Sequence, residues 1–253
     1  MAIFHSSVGV ISRGQGQSLA ERAAYICGKK FFDEYCGQNR RYFRRDVTLC
    51  EVCLPADAPA QYADAQVLIT EIDRSEKRCD AQTAREIIFA LPMELSEAER
   101  IDLSRKWISK FWVSRGMCAL FAIHDKGTGN PHVHVLLTTR NVDQNGFSTK
   151  KNRDWNRKEL YLAWRKFLAN AQNLEFSKKG LDVRVSNESY AVQGIDKKPT
   201  KYLGPRASAL AKKGIFTERA EENLAILDER KRREQKQEAK KLQKRHRVYR
   251  RCY

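Results

Sequence analysis

The sequence contains no apolar run long enough to cross a bilayer. Its first residues, MAIFHSSVGVISRGQG, lack the basic-then-apolar order of a secretion signal. Its seven cysteines are odd in number and follow no disulfide-framework spacing. We therefore expect reduced thiols and a cytoplasmic protein. Cys50 and Cys53 form one CxxC, which could be half of a zinc site. No second pair follows at zinc-finger spacing, so burial as small apolar residues is the favoured interpretation.

Internal repeats and the phosphate-binding loop GxxxxGK[ST] are also missing, while basic residues are in excess. The chain has 48 Lys and Arg against 31 Asp and Glu, a formal charge of +17. Such an excess indicates a polyanionic partner, and without a membrane segment we expect nucleic acid. Residues 228–251 are the densest part, with 12 basic and four acidic side chains. They are either a solvated, partly helical end or an arm that follows phosphates.

Apolar periodicity and capping residues predict a mixed α and β chain. Ser18, Glu21 and Gly28 bound a short helix, and Ser96 with Glu99 forms a capping box before a longer one. Two apolar runs joined by the turn-forming loop DKGTGNP read as a strand hairpin. The predicted helices are 18–30, 60–78, 95–116 and 155–173, and the predicted strands are 85–92, 117–124 and 132–140.

Three of the five histidines lie at this hairpin: His124, His132 and His134. Side chains two apart on a strand point to the same face, so His132 and His134 project together. The hairpin folds the end of the preceding strand, with His124, against them. Three converging imidazoles form a ligand set for a divalent metal with open positions, which is the catalytic pattern. The alternative is three unrelated histidines.

A metal on a basic protein suggests phosphodiester chemistry, which needs a nucleophile. Water is one option, and a protein hydroxyl that forms a covalent intermediate is the other. Of nine tyrosines, Tyr25 lies at the end of the short N-terminal helix, beside Lys29 and Lys30. A tyrosine on an amphipathic helix is usually a core residue, so the residues alone leave this choice open.

Four blocks in order resemble the MobA/MobL family of conjugative relaxases, within the wider HUH endonucleases. They are AAYICGKKFFDE, AREIIFALPMELS, HDKGTGNPHVHVLLTTR and SYAVQGIDKKPTKYLGPRA. The resemblance implies an α+β fold, with a mostly antiparallel central sheet flanked by helices. It implies a relaxase domain over residues 1–215, and we expect residues 216–253 to form a basic, helical C-terminal extension.

The resemblance also implies roles for individual residues. The family's metal ligands correspond to His124, His132 and His134, and its nucleophile to Tyr25. Glu86 matches a family glutamate, with a supporting role in orienting a histidine or helping to deprotonate Tyr25. The expected cofactor is a divalent metal ion, Mg²⁺ or Mn²⁺ first, with Zn²⁺ or another transition metal as alternatives.

The implied function is plasmid mobilisation: nicking one DNA strand at an origin of transfer through a 5′-phosphotyrosine, then rejoining it. The implied partners are single-stranded or locally melted origin DNA, accessory relaxosome proteins and a coupling protein, in the bacterial cytoplasm. A rolling-circle replication initiator with the same site is an alternative, although AREIIFALP and QGIDKKPT disfavour it. A non-catalytic DNA-binding protein with a structural metal is the other alternative.

Overall fold

The computed structural model describes residues 4–127 and 129–249. The chain divides into two compact units, one ending at Asn187 and the other beginning at Glu188. The strands are β1 (Ser6–Ser12), β2 (Lys30–Asp33), β3 (Gln38–Arg41), β4 (Val47–Cys53), β5 (Gln82–Ala90), β6 (Ala119–His124), β7 (His132–Leu137), β8 (Arg140–Asp143) and β9 (Gly146–Lys151). The α-helices are α1 (Leu19–Cys27), α2 (Ala65–Ser75), α3 (Glu97–Phe111), α4 (Lys158–Lys178), α5 (Gly204–Lys212) and α6 (Glu218–Tyr249).

A five-stranded sheet forms the centre of the first unit. Its strand order is β1–β5–β7–β6–β4, and each neighbouring pair is antiparallel. Every residue of β6 is buried, as is every residue of β7 after His132. Burial on both faces explains why these strands appear in the sequence as apolar runs without alternation. The predicted α+β fold with a mostly antiparallel sheet is confirmed.

Helices cover both faces of this sheet, and each face has its own core. One core contains Trp107 of α3 and Trp164 of α4, packed on β-strand residues such as Phe121. The other contains Ala23 of α1 and Ile69 of α2. Strand alternation places the histidines of β6 and β7 on the α1 side, because their odd-numbered neighbours belong to the α3–α4 core. The sheet therefore presents the imidazoles to α1.

Most predicted elements of this unit occur where the sequence placed them. The Ser96–Glu99 capping box is present, and Ser18 caps α1. The predicted helix over 60–78 is instead a short 3₁₀ turn followed by α2 (Ala65–Ser75). The break falls at Asp64, whose extended backbone and side-chain bond to the Val67 N–H begin a new helix. The small hairpins β2–β3 and β8–β9 were not predicted.

The second unit contains α5 and α6. Asn223 of α6 accepts a bond from the backbone N–H of Lys201 and donates one to its carbonyl, and so holds the segment before α5. Most of residues 216–253 lie in α6, as the expected helical extension requires. The domain boundary at residue 215 stays a prediction. No described helix combines the length and the apolar character that crossing a membrane requires.

Candidate metal centre and its tyrosine

The β6–β7 hairpin brings the three histidines together. His124 pairs directly with His132 in the strand register, and His134 lies two residues further along the same face. Their ring centroids are 5.4 Å apart for His124 and His132, 4.6 Å for His124 and His134, and 5.1 Å for His132 and His134. One nitrogen from each ring lies within 4.8 Å of the other two. Among the described residues, this is the group with an arrangement that could hold a metal ion.

Each imidazole uses one nitrogen to fix its orientation. His124 Nε2 lies 2.6 Å from the Ile26 carbonyl oxygen, and His132 Nδ1 lies 2.8 Å from the Asn130 carbonyl oxygen. A carbonyl oxygen only accepts, so these two nitrogens carry the hydrogen and donate. The opposite nitrogens, His124 Nδ1 and His132 Nε2, are left with a lone pair. This is the hydrogen-bonding arrangement that orients histidine ligands of metals.

Glu86 orients the third histidine. Its Oε1 lies 2.8 Å from His134 Nδ1, and Arg22 of α1 contacts both carboxylate oxygens at distances of 2.6 to 3.0 Å. Burial alone would raise the pKa of Glu86, but hydrogen bonds from His134 and Arg22 outweigh it, so the pKa lies below its ordinary value. The ionised carboxylate therefore accepts from His134 and leaves Nε2 of that ring free.

The buried ring nitrogen of His124 tests whether this site suits a cation. His124 is 0% exposed, and its Nδ1 has no hydrogen-bond partner. Burial lowers the pKa of His124 to about 4, although the hydrogen bond to the Ile26 carbonyl acts to raise it. Burial also lowers the pKa of His134. Neutral imidazoles with free lone pairs are the form that binds metal. A buried acceptor without a donor is costly, and a bound cation would satisfy it.

Tyr25 lies against this trio, on the last turn of α1. Its ring centroid is 6.5 Å from that of His124 and 6.4 Å from that of His134. The side chain is half-buried and borders an open cavity that Arg22 and Glu86 also line. The structure thus brings together all five residues singled out from the sequence: Tyr25, Glu86, His124, His132 and His134.

Two arginines that the sequence reasoning missed flank the tyrosine. The guanidinium carbon of Arg22 is 4.9 Å from the Tyr25 ring centroid, and that of Arg44 is 4.4 Å away. Arg44 also makes a two-point ion pair with Asp46, at 2.6 and 2.9 Å. A signal was present, since Arg44 belongs to the run RRYFRR, where two aromatics lie between two pairs of arginines.

The CxxC cysteines do not converge on a common site. Cys50 packs with the α1–α2 core, where its Sγ lies 2.6 Å from Cys27 Sγ, whereas Cys53 packs with the α3–α4 core. Their placement on opposite faces of β4 agrees with the packing interpretation.

The fold is that of conjugative relaxases. The relaxase TrwC, solved in complex with oriT DNA, superposes with a TM-score of 0.50 at 11% identity, over 89% of this chain and 98% of that one. A structure reported as "Molecular Basis of Vancomycin Resistance Transfer in Staphylococcus aureus" superposes with a TM-score of 0.70 at 32% identity, over 75% of this chain and all of that one.

The MobA/MobL family model matches residues 17–213, and the chain belongs to this family. It is 33% identical over 244 residues to the conjugal transfer protein TraA of Agrobacterium fabrum. This alignment covers 84% of this chain and 22% of the relative. It is 30% identical over 267 residues to a probable mobilization protein MobA of Bifidobacterium longum. This alignment covers 89% of this chain and 47% of the relative. The chain therefore spans under half the length of these relatives.

Proposed function

We propose that this chain is a plasmid-mobilisation relaxase: a metal-dependent transesterase that nicks and rejoins one DNA strand at an origin of transfer. The observation that carries the proposal is the contact between the Tyr25 ring and the imidazoles of His124 and His134. A phenol beside three metal-competent nitrogens is a nucleophile beside a phosphate-binding centre. Membership of the MobA/MobL family supports the same assignment.

The three free imidazole nitrogens would hold the metal ion, His124 through Nδ1 and the other two through Nε2. When bound, a divalent cation supplies Lewis-acid polarisation of the non-bridging phosphate oxygens. Three protein ligands leave coordination positions open for those oxygens. We propose Mg²⁺ or Mn²⁺, as the family resemblance implies, with Zn²⁺ or another transition metal as the alternative because imidazole ligands suit transition metals.

Tyr25 would attack the scissile phosphorus through its phenol oxygen. The new bond joins that oxygen to phosphorus, and the bond from phosphorus to the 3′ oxygen breaks. The phenol gives up its proton to solvent, the released 3′ oxygen takes one up, and the 5′ phosphate stays on Tyr25 as a phosphodiester. Because one diester replaces another, the reverse attack by a 3′-hydroxyl rejoins the strand without ATP.

The surrounding side chains suit this step. The Arg22 and Arg44 guanidinium groups lie against the Tyr25 ring, where their positive charge would attract the scissile phosphate. We assign Glu86 the positioning role instead of that of the base. Hydrogen bonds from two donors occupy its oxygens, and they hold its pKa below the ordinary value, which makes it a weak proton acceptor.

The proposed substrate is single-stranded or locally melted DNA, because a paired strand could not lie in a half-buried site beside α1. The positive charge of the protein chain gives it a general attraction for the phosphates of the DNA. Accessory relaxosome proteins, a coupling protein and action in the cytoplasm complete the proposal.

The test is covalent capture. Labelled single-stranded oligonucleotides tiled from the DNA flanking the gene are incubated with the full chain and Mg²⁺ or Mn²⁺, then run on a denaturing gel. We expect one oligonucleotide to give a shifted protein–DNA adduct that Tyr25→Phe abolishes. Tyr35→Phe is the matched control, since this exposed tyrosine packs against Arg13 and should leave the adduct intact.

An adduct that persists in Tyr25→Phe would move the nucleophile to another residue. DNA binding without an adduct on any oligonucleotide would favour the non-catalytic alternative. Where the adduct forms, a mobilisation assay against a replication assay separates a relaxase from a rolling-circle initiator.

A further inference from the structure

Residues 40–45 read Arg-Arg-Tyr-Phe-Arg-Arg; the first two end β3, and the other four lead toward β4 beside the site. We call this stretch the arginine–aromatic segment. Its side chains differ in their contacts. Arg44 and Tyr42 contact the Tyr25 ring, although Tyr42 is itself 37% exposed, and Arg41, Phe43 and Arg45 are exposed. The segment thus has an inner face on the nucleophile and an outer face in solvent.

The inner face is firmly held. The Tyr42 ring meets the Tyr25 ring edge-on, with centroids 5.5 Å apart, and its hydroxyl donates to Glu21 at 3.0 Å. Arg44 is tied to Asp46 by two bonds. The backbone at Arg44 also packs closely on Gly28, where an added Cβ would lie 3.1 Å from the Arg44 Cβ. The position of the outer face is therefore fixed relative to Tyr25.

The outer face has no structural explanation in the fold. Phe43 is 80% exposed, the highest fraction among the large apolar side chains described in the first unit. An exposed phenylalanine forgoes the burial that normally stabilises this residue type. Arg41 and Arg45 have no ion pair among the described residues, whereas Arg40 and Arg44 are paired with aspartates. An exposed aromatic between two cations without an ion pair matches the composition of a single-stranded nucleic-acid site.

We propose that the arginine–aromatic segment is a DNA subsite in which Phe43 stacks on the base next to the scissile phosphate. Arg41 and Arg45 would contact the flanking phosphates. Phe43 is one residue from both Tyr42 and Arg44, a Cα separation of about 3.8 Å, so the backbone that carries Phe43 lies close to the residues that contact Tyr25. Stacking accepts every base, so this subsite would hold the strand at the site and leave sequence choice to other contacts. The inference rests on the proposed function, because it assumes that DNA reaches Tyr25.

The test measures binding apart from nicking. Fluorescence anisotropy gives the Kd of the full chain for a labelled oligothymidylate of about 20 nucleotides, with chelator present, over a range of salt concentrations. Phe43→Ala should raise the Kd roughly 5- to 100-fold, the usual loss for one stacked base, and leave the salt dependence unchanged. Phe43→Trp should keep the affinity of the unchanged chain, because it keeps an aromatic ring. The fluorescence of the introduced tryptophan should change on binding. Arg45→Gln should instead reduce the slope of log K against log salt by about 0.7, the value for one single-strand phosphate contact.

Phe167→Ala on α4 is the matched control, because Phe167 is also an exposed phenylalanine, at 46%. It should bind like the unchanged chain. Equal Kd values for Phe43→Ala and Phe167→Ala would overturn the inference. It would also be overturned if Phe43→Ala lost as much affinity for duplex DNA as for the single strand.

Failure of this inference can be told from failure of the proposed function. If Phe43→Ala binds normally while Tyr25 still forms the adduct, the subsite is wrong and the relaxase assignment stands. If Phe43→Ala weakens binding but the unchanged chain forms no adduct, the subsite stands and the nicking proposal fails.

Discussion

Acidification of the metal-free protein should destabilise it through His124. The ring is fully buried, and burial lowers its pKa to about 4, from 6.5 in an unfolded chain. Between these values the unfolded state binds a proton that the folded state does not, so stability falls as the pH decreases through this window. A difference of about 2.5 pH units at 1.36 kcal/mol per unit gives about 3 kcal/mol in total, of which about 2 kcal/mol is lost by about pH 5. His134, whose pKa burial also lowers, should add to the loss.

The assay is urea unfolding of the chelator-treated chain between about pH 7 and about pH 5. This range lies above the window of Asp46, whose depressed pKa of about 2 affects stability only at lower pH. His124→Asn removes the titrating ring and keeps a donor for the Ile26 carbonyl, so its stability should depend less on pH. A flat profile for the unchanged chain, or an equally steep one for His124→Asn, would refute the assignment of a buried neutral His124.

Two further predictions concern the supports of the site. Glu86→Gln should lower metal affinity about 10- to 100-fold in calorimetry, because the partner that orients His134 loses its charge; unchanged affinity would remove Glu86 from the metal centre. Gly28→Ala should reduce the free energy of unfolding by about 1 to 3 kcal/mol, since the backbone has a φ of 62° and Arg44 crowds the new methyl group. A thermal midpoint equal to that of the unchanged chain would show that this turn relaxes.

The histidine trio could be predicted because its geometry is local. An i, i+2 pair on one strand shares a face whatever the rest of the sheet does, and a short hairpin determines which residue lies opposite. The structure has this arrangement, with His124 opposite His132. Tyr25 was different. The residues alone offered only its place at the end of a short helix beside Lys29 and Lys30, which left the choice open until the family resemblance singled it out.

The hydrogen-bond partners of the site could not be predicted, for two physical reasons. The acceptors for His124 and His132 are backbone carbonyls, of Ile26 and Asn130, and a carbonyl leaves no mark in the residue types. Arg22 reaches Glu86 across 64 positions of the sequence, a contact that only the packing of α1 on the sheet creates. Periodicity predicts which face of an element is buried, but not which elements meet.

The last turn of α1 explains why tyrosine and metal ligand lie together. Gly28 ends the helix in the left-handed conformation, so the final carbonyls have no donor within the helix. One of them, that of Ile26, accepts from His124, while Tyr25 on the same turn contacts the His124 ring. A displacement of this turn would therefore move the phenol and release the imidazole at once. The end of α1 therefore couples the nucleophile to the metal ligand more directly than the sheet does. The sheet positions the three histidines relative to one another but does not carry Tyr25.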